Sequence, residues 1–178
     1  MKVIKIILIL VLVLLAIPFV AALFVPKQYT VSVATTVKMP KNQVMEYLKL
    51  LKNQNEYSEW IMADTVNSPE IVGTDGTVGA IQKWNSKNDK VGEGEQEITA
   101  ITSDKIEVDL RFKRPFESEA KAATIIDSIS ENETKVTSEF YANDSYPMNL
   151  AGYLFGKNLI HETETKNLQN IKTILEAR

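Results

Sequence analysis

Alternation of apolar and polar residues predicts that much of the chain forms antiparallel sheet. Residues 105–112, KIEVDLRF, alternate without a break, so Ile106, Val108 and Leu110 would share one face of a strand. Residues 29–37, YTVSVATTV, alternate in the same way and are rich in β-branched residues. Shorter alternating patterns, separated by turn residues, predict further strands at 69–73, 80–85, 93–101, 117–127 and 134–142.

Two segments of the domain, one before most of the strands and one after them, are predicted to form helices. Residues 41–53 carry apolar side chains three or four positions apart, which is helical periodicity. Residues 55–64 are expected to form an aromatic loop, and a long helix is expected from the end of Tyr146-Pro147 to the C-terminus. The order is strand, helix, loop, about six strands and helix. That order indicates an α+β domain with its helices on one face of an antiparallel sheet.

The longest apolar run lies at the N-terminus. Residues 6–25 carry no charge, and about twenty apolar residues are enough for a helix to cross a bilayer. Lys2 and Lys5 favour a cytoplasmic N-terminus, which would place the remaining chain on the extracytoplasmic side of the cell membrane. The sequence therefore predicts a single-pass anchor over residues 1–25 and a separate domain over residues 26–178. A secretory signal cleaved after the small residues at 20–22 is the alternative.

Composition and charge narrow the possible functions. The 178 residues include no cysteine, which excludes disulfides, thiolate zinc sites and cysteine nucleophiles. The net charge of -3 offers no basic field for a phosphate backbone, so no nucleic-acid partner is expected. The chain has no phosphate-binding loop, dinucleotide fingerprint or GxSxG motif. Neither a cofactor nor a metal is expected.

Three glutamates stand at alternate positions of one predicted strand: Glu93, Glu95 and Glu97. The other face of that strand carries Ile98, which belongs in the core, so the carboxylates are expected on the wet side of the sheet. There Arg111 can pair with them. A cation site on the outer sheet is the alternative.

The opposite face of the predicted sheet is apolar, with small residues and a few uncharged polar groups. Such a wall is typical of a pocket for an apolar ligand with a polar end. The candidate ligand-binding residues on this face are Gln82, Trp84, Gln96, Ile98, Thr124, Ser138 and Phe140. The alternative is an ordinary packed core in which Gln82 and Gln96 bond each other across neighbouring strands.

The final helix carries the only histidine of the chain. Leu168, Ile171 and Leu175 define an apolar stripe, and the stripe extended backwards meets Glu164 and His161. Both are therefore expected to face the sheet, where they could form an acid/base pair or hold the polar group of a ligand. As a metal site the two need a third ligand. In the alternative, a slightly rotated helix puts both in water.

Several segments in this order resemble the START and polyketide-cyclase superfamily, SRPBCC, and especially its small bacterial members with an N-terminal anchor. The segments are FVPKQYTV, MPKNQVMEYL, NEYSEWIM, GTVGAIQKWNS, KVGEGEQEI, DLRFKRPFES and YPMNLAGYLF. The resemblance implies a helix-grip fold, in which a curved antiparallel sheet wraps a long C-terminal helix and leaves a cavity between them. It also places Tyr57 and Trp60 where that family opens its cavity, as an aromatic lid. In the alternative, these two residues anchor a loop on the core.

The function expected from these observations is binding. A membrane-anchored domain would take a lipid or another hydrophobic small molecule into its cavity. The first alternative is a polyketide cyclase- or hydrolase-like enzyme that uses His161 and Glu164, although a chain with one histidine and no cysteine has few means of catalysis. The second alternative is an envelope protein that contacts another protein and binds nothing small. The fold alone does not choose between them, because it hosts carriers, receptors and enzymes.

Overall fold

A computed structural model describes residues 2–64, 66, 68–88 and 91–178, and it contains one seven-stranded antiparallel sheet. The strand order is β1-β7-β6-β5-β4-β3-β2, so apart from β1 each strand pairs with its neighbours in sequence. The α+β helix-grip architecture is confirmed, with the curved sheet wrapped on the long C-terminal helix. The strands are β1 Gln28–Val37, β2 Glu70–Val72, β3 Ile81–Asn85, β4 Glu93–Ile101, β5 Lys105–Arg114, β6 Ser118–Ser130 and β7 Glu133–Asn143.

The helices lie before, between and after the strands. They are α1 Lys2–Ala22, α2 Lys41–Leu48, a 3₁₀ turn Leu51–Asn53, α3 Gln54–Tyr57, α4 Glu59–Met62, α5 Asn149–Ala151, a π-helical turn Gly152–Gly156 and α6 Lys157–Glu176. The last three follow one another without a break and correspond to the predicted C-terminal helix. Of the three, α6 packs against the sheet, mainly through β1.

The segment between α2 and β2 differs from its prediction. The helix expected over residues 41–53 ends at Leu48, and the expected loop over residues 55–64 contains α3 and α4. Leu50 is extended, and the Asp75 carboxylate accepts the backbone N–H groups of Leu51 at 2.7 Å and Lys52 at 3.2 Å. This carboxylate satisfies the first free donors of the new helical turn. The capping group is 24 residues away from Leu51, so no local pattern announces it.

The core lies between the sheet, α2 and α6. Its most completely buried side chains are Val37, Val44, Ile126, Val136 and Leu175, each at most 1% exposed. Burial of such aliphatic side chains stabilises the fold by about 1.5–3 kcal/mol each. The core fills the far half of the space under α6, towards its C-terminus, and the site occupies the remainder.

The outer face of the sheet carries the three alternating glutamates, as expected. Arg111 donates from Nε to Glu95 at 2.8 Å and from its Nη2 to Glu97 at 2.7 Å. Glu93 accepts from Arg114 at 3.1 Å. The glutamates therefore serve as one side of a partly exposed ion-pair network.

α1 stands apart from this core. It is 21 residues long with a mean hydropathy of 3.2, and its side chains up to Val20 are exposed. By length and composition it can cross a membrane, and a signal sequence would have the same properties.

Candidate functional site

A cavity of about 170 Å³ lies between the sheet and α6. Its walls are mostly apolar, with the side chains of β5 on one side and those of α6 on the other. The residues that the argument uses are Tyr57, Trp60, Gln96, Thr124, Ser138, Phe140, Glu164 and Asn167. A second chamber of about 110 Å³ adjoins it under α4 and shares Gln54, Ser58, Trp60, Gln96 and Leu110 with it. The two chambers form one site with a polar partition.

Glu164 supplies the carboxyl group of the main cavity. Its Oε2 accepts a hydrogen bond from the Ser138 hydroxyl at 2.7 Å, and its Oε1 accepts one from the Asn167 amide at 3.2 Å. No cation pairs with it among the described residues. The protein packed around it raises the pKa of this carboxyl through desolvation, and the two hydrogen bonds oppose that rise. Glu164 is thus a carboxyl that takes up a proton more readily than one in water.

Asn167 links this carboxyl to the helices over the cavity. Its Oδ1 accepts the backbone N–H of Glu59 at 2.9 Å, which satisfies the first turn of α4. One turn later on α6, Asn170 donates from Nδ2 to the Tyr57 carbonyl at 3.1 Å. Two asparagines of α6 therefore fix the segment that covers the cavity, and this tertiary capping explains why α3 and α4 form within the expected loop.

Tyr57 and Trp60 lie over the cavity in different surroundings. Tyr57 is 9% exposed and packs against Tyr47, with ring centroids 6.2 Å apart. Burial raises the pKa of the Tyr57 hydroxyl, and the charge of Glu164 raises it further, so this group is a neutral hydrogen-bonding group at any physiological pH. Trp60 is 37% exposed and lines both chambers. Tyr57 is therefore packed on the core, whereas Trp60 is partly exposed at the cavity, and its role as an aromatic lid stays a prediction.

The partition between the chambers is a chain of amides. The Gln96 amide donates to Gln82 Oε1 and to Gln54 Oε1, the latter at 2.6 Å, and Gln82 donates to the Leu51 carbonyl at 3.1 Å. The alternative in which Gln82 and Gln96 bond each other thus describes their contact correctly. Gln96 nevertheless faces both chambers, so it is a wall of the site as well.

Six of the ten candidate ligand-binding residues lie around the main cavity: Tyr57, Trp60, Gln96, Thr124, Ser138 and Phe140. Gln82 and Trp84 line the smaller chamber. Ile98 lines neither, because it is fully buried and packs against Leu51 and Ala80. Which of the lining residues touch a ligand stays a prediction.

The expected pairing of His161 with Glu164 is not formed. His161 is exposed and lies beside residues 32–35 of β1, in a shallow groove outside the cavity. The buried face of α6 runs through Thr163, Asn167 and Ile171, so the stripe is rotated away from His161 and towards Glu164. His161 is therefore exposed beside the edge strand and is not inside the cavity, whereas Glu164 contacts Ser138 on the inner face of the sheet. A role of either residue in binding or catalysis stays a prediction.

Three polar residues of the site were missed from the sequence: Gln54, Ser58 and Asn167. The signal for Asn167 was present, since it stands three positions after Glu164 and directly before Leu168 of the apolar stripe. Gln54 and Ser58 lie in the segment that was expected to be a loop, and their place over the cavity depends on the caps from α6.

Known structures share this architecture at low sequence identity. No protein-family model matches the chain, and no curated protein matches it by sequence. The structure of Ara h 8.0201 aligns with a TM-score of 0.59 and 12% identity, over 85% of this chain and 99% of that one. A protein from Mesorhizobium loti aligns with a TM-score of 0.61 and 12% identity, over 84% of this chain and 98% of that one.

A third structure is twice as long as the part that matches. The di-domain ARO/CYC StfQ from the steffimycin biosynthetic pathway aligns with a TM-score of 0.67 and 9% identity. The match covers 85% of this chain and 51% of that chain. Likeness at such identities shows the fold alone. The chain has a helix-grip fold, the architecture that it shares with these structures.

Proposed function

We propose that the protein is a membrane-tethered binding domain that takes a hydrophobic small molecule or part of a lipid into the cavity under α6. The observation that carries this proposal is an apolar cavity with one carboxyl, Glu164, that has no cationic partner among the described residues. A protein that only needed a packed core would gain stability by filling this space and removing the charge. Residues 26–178 would form the binding domain and residues 1–25 the anchor.

The surroundings of Glu164 indicate the polar end of the ligand. A carboxylate can accept about four hydrogen bonds, and the protein supplies two donors here, from Ser138 and Asn167. A ligand hydroxyl or amine can supply a third. A ligand carboxylate or phosphate would meet the like charge of Glu164. The one cation that lines the cavity among the described residues, Lys49, is already paired with Glu46 at 2.6 Å. The proposal therefore names an apolar molecule that ends in a hydrogen-bond donor.

The cavity volume limits the size of the enclosed part. A cavity of about 150 Å³ accommodates a benzene molecule, so the main cavity at about 170 Å³ holds a group of roughly one substituted ring. A longer molecule would continue past Gln96 into the smaller chamber. Removal of apolar surface from water would drive binding, at about 25 cal/mol per Å².

The anchor would give the cavity access to its ligand. An apolar molecule partitions into the bilayer, and a binding site held at the membrane meets it at a raised effective concentration. Lys2 and Lys5 favour the extracytoplasmic side for the domain. The hydrogen bonds from Asn149 to the carbonyls of Ala22 and Val25 support retention of α1, because a signal cleaved after residue 22 would leave the domain without one of them.

A second candidate function is catalysis with Glu164 as a proton donor, and the raised pKa of this carboxyl favours it. The observation against it is the position of His161, outside the cavity, which leaves the proposed acid without its partner. The protein-interaction alternative predicts a filled interior, whereas a cavity of about 170 Å³ lies between the sheet and α6.

Three probes of one shape test the proposal. The full chain in detergent micelles is titrated with 4-ethylphenol, ethylbenzene and 4-ethylbenzoate, which differ only in the polar end, and binding is followed by NMR shift changes. We expect 4-ethylphenol to bind most tightly and 4-ethylbenzoate most weakly. Equal affinity of all three would contradict a role for Glu164.

Two variants separate cavity binding from partition into the micelle. Ala122→Phe places a ring in the main cavity, and Lys121→Phe places the same ring on the outer face one residue away. Binding should be lost in the first variant and kept in the second, with both variants folded by circular dichroism. Organic extraction of the purified wild type, followed by mass spectrometry, would then show which molecule the cavity retains.

A further inference from the structure

Large apolar side chains are exposed at one end of the domain. Antiparallel pairing brings the start of β1 beside the end of β7. The turn between β5 and β6 lies at the same end of the strands. This end of the sheet, together with the chain that joins it to α1 and α6, is called the anchor end here. Its exposed large apolar side chains are Phe24, Phe116, Tyr146, Met148, Tyr153, Leu154, Phe155 and Leu159.

The opposite end of the strands exposes fewer large apolar side chains, and they are of a different type. Among the described residues, the large apolar side chains exposed there are Val72, Val78 and Ile129, which are all aliphatic. The anchor end carries five exposed aromatic rings, and aromatic rings are the side chains that favour the boundary between water and lipid. The contrast is within one molecule, so general surface composition does not explain it.

Direct hydrogen bonds hold the anchor end against α1. Asn149, which is fully buried, donates from Nδ2 to the carbonyls of Ala22 at 2.8 Å and Val25 at 2.9 Å. The Tyr146 hydroxyl donates to the Phe19 carbonyl at 3.3 Å. An α-helix rises 1.5 Å per residue, so Phe19 lies about 4–5 Å before the helix end at Ala22. Residues 146–149 are therefore level with the last turn of the apolar helix.

Two glycines fix the π-helical turn in the same place. A Cβ on Gly152 would lie 1.9 Å from the Asp144 carboxylate, and one on Gly156 would lie 3.1 Å from the Tyr29 hydroxyl. The Tyr153 ring also contacts Tyr29 edge-on, with centroids 6.3 Å apart. These contacts press the turn onto the start of β1 and leave Leu154 and Phe155 facing outwards.

We infer that the anchor end is a second membrane-contact surface, which lies on the bilayer that α1 crosses. The inference rests on the anchor in the proposed function, because α1 brings the lipid surface to the level of Tyr146 and Asn149. Phe116, Tyr146, Leu154 and Phe155 then insert into the boundary between headgroups and acyl chains. The domain therefore contacts the membrane with its anchor end, in one fixed orientation.

This orientation turns the site towards the lipid. Trp84 and Phe112 stand at the anchor-end termini of β3 and β5, with ring centroids 6.0 Å apart. Phe112 lines the main cavity and Trp84 lines the smaller chamber. A ligand that leaves the bilayer at this end reaches the cavity walls without crossing bulk water.

Single-cysteine variants test the inference, and the chain has no cysteine of its own. Leu154→Cys and Ile129→Cys are a matched pair, because these leucine and isoleucine side chains are 52% and 54% exposed at opposite ends. The full chain of each variant is labelled with a nitroxide and reconstituted in vesicles of phosphatidylcholine and phosphatidylglycerol. Collision rates with oxygen and with a water-soluble nickel chelate then report lipid and water contact. Leu12→Cys reports the anchor itself.

We expect the oxygen-to-nickel ratio at position 154 to exceed that at position 129 by at least about fivefold, as for a side chain buried in the headgroup boundary. Equal ratios at 154 and 129, with position 12 in lipid, would overturn the inference and leave the anchor in place. A water-exposed position 12 would overturn both. Spin–spin broadening at 154, with neither reagent reaching it, would mean that a second copy of the chain covers this surface, which also overturns it. The probe titrations judge ligand binding separately.

Discussion

The two faces of the sheet meet carboxylates in opposite surroundings: those of β4 on the outer face, and Glu164, which α6 places against the inner face. On the outer face, Arg111 lies within 2.8 Å of Glu95 and 2.7 Å of Glu97. The hydrogen bond from Arg111 lowers the pKa of Glu95. On the inner face, Glu164 has a serine and an amide as partners, and desolvation raises its pKa. The same residue type is therefore held charged outside and pushed towards the neutral form inside.

The outer carboxylates stabilise the fold slightly, whereas Glu164 destabilises it. Exposed ion pairs contribute about 0–1 kcal/mol, so the outer network is a small gain that tolerates change. An enclosed carboxyl without a cation costs free energy at neutral pH. A group that costs stability and persists at the wall of a cavity is better explained by binding than by folding, and this contrast can be tested on both faces.

The largest effect is expected from a second inner carboxyl. Thr124 pairs with Ser138 across β6 and β7, so Thr124→Glu would place a carboxylate beside the Ser138–Glu164 hydrogen bond. An uncompensated enclosed charge costs about 3–5 kcal/mol. We expect a loss of that size in the free energy of unfolding at pH 7, with partial recovery in acid as the carboxyls become protonated. Denaturant unfolding in micelles, followed by tryptophan fluorescence, measures it.

Thr99→Glu is the matched control for this change. Thr99 is exposed on β4, so the same substitution there should alter stability by no more than about 0.5 kcal/mol. Comparable losses in the two variants would mean that the inner face is as wet as the outer one, and the contrast between the faces would fail.

Glu164→Gln is expected to raise the free energy of unfolding, whereas Thr124→Glu lowers it, and the gain should be smaller than that loss. Because the pKa of Glu164 is higher in the folded chain, the folded state binds more protons and wild-type stability falls as pH rises from about 4.3 through the folded pKa. Glutamine has no such fall and can still bond Ser138 and Asn167. The variant should be more stable than wild type by about 1–2 kcal/mol at pH 8, the cost of one poorly compensated polar group.

The two stability curves should converge as the pH falls below the unfolded pKa of about 4.3, where Glu164 becomes protonated in both folded and unfolded chains. If the variant were less stable at pH 8, the carboxylate would have more support than its hydrogen bonds show. The same variant should lose the preference for 4-ethylphenol over ethylbenzene by about tenfold if the ligand hydroxyl donates to Glu164, which is about 1.4 kcal/mol.

The strands were predictable from the sequence because their pattern is local. Alternation along residues 105–112 specifies which side chains face the core, and the structure places Ile106 and Val108 on the inner face accordingly. The segment at 55–64 was not predictable. Its helices depend on Asn167 and Asn170, more than 100 residues away, and no local periodicity contains that information.

The site was predictable to the extent that it lies on strands. Thr124, Ser138 and Phe140 follow from alternation, and they line the cavity. The helix was harder, since a stripe of three residues leaves its rotation uncertain by about one position, or 100°. Whether His161 or Glu164 faces the cavity depends on this rotation. The polar residue Asn167, which lies next to the stripe, would have indicated that Glu164 does.

The smallest effect is expected from Arg111→Met on the outer face. The substitution removes both contacts to Glu95 and Glu97 but keeps an apolar stem, so the loss should stay within about 1 kcal/mol at pH 7 and shrink as salt is added. The pKa of Glu95 is lowered in the folded chain, so its contribution is present above the unfolded pKa and is lost as pH falls through the folded one. Lys113→Met is the control, because Lys113 lies 4.0 Å from Glu93 and is more exposed, and it should have no measurable effect.

Arg111→Met should therefore be less stable than wild type at neutral pH while Glu164→Gln is more stable, and both differences should vanish in acid. A neutral-pH loss well above 1 kcal/mol would show instead that the outer carboxylates carry part of the fold, and that the two faces differ less than their surroundings indicate.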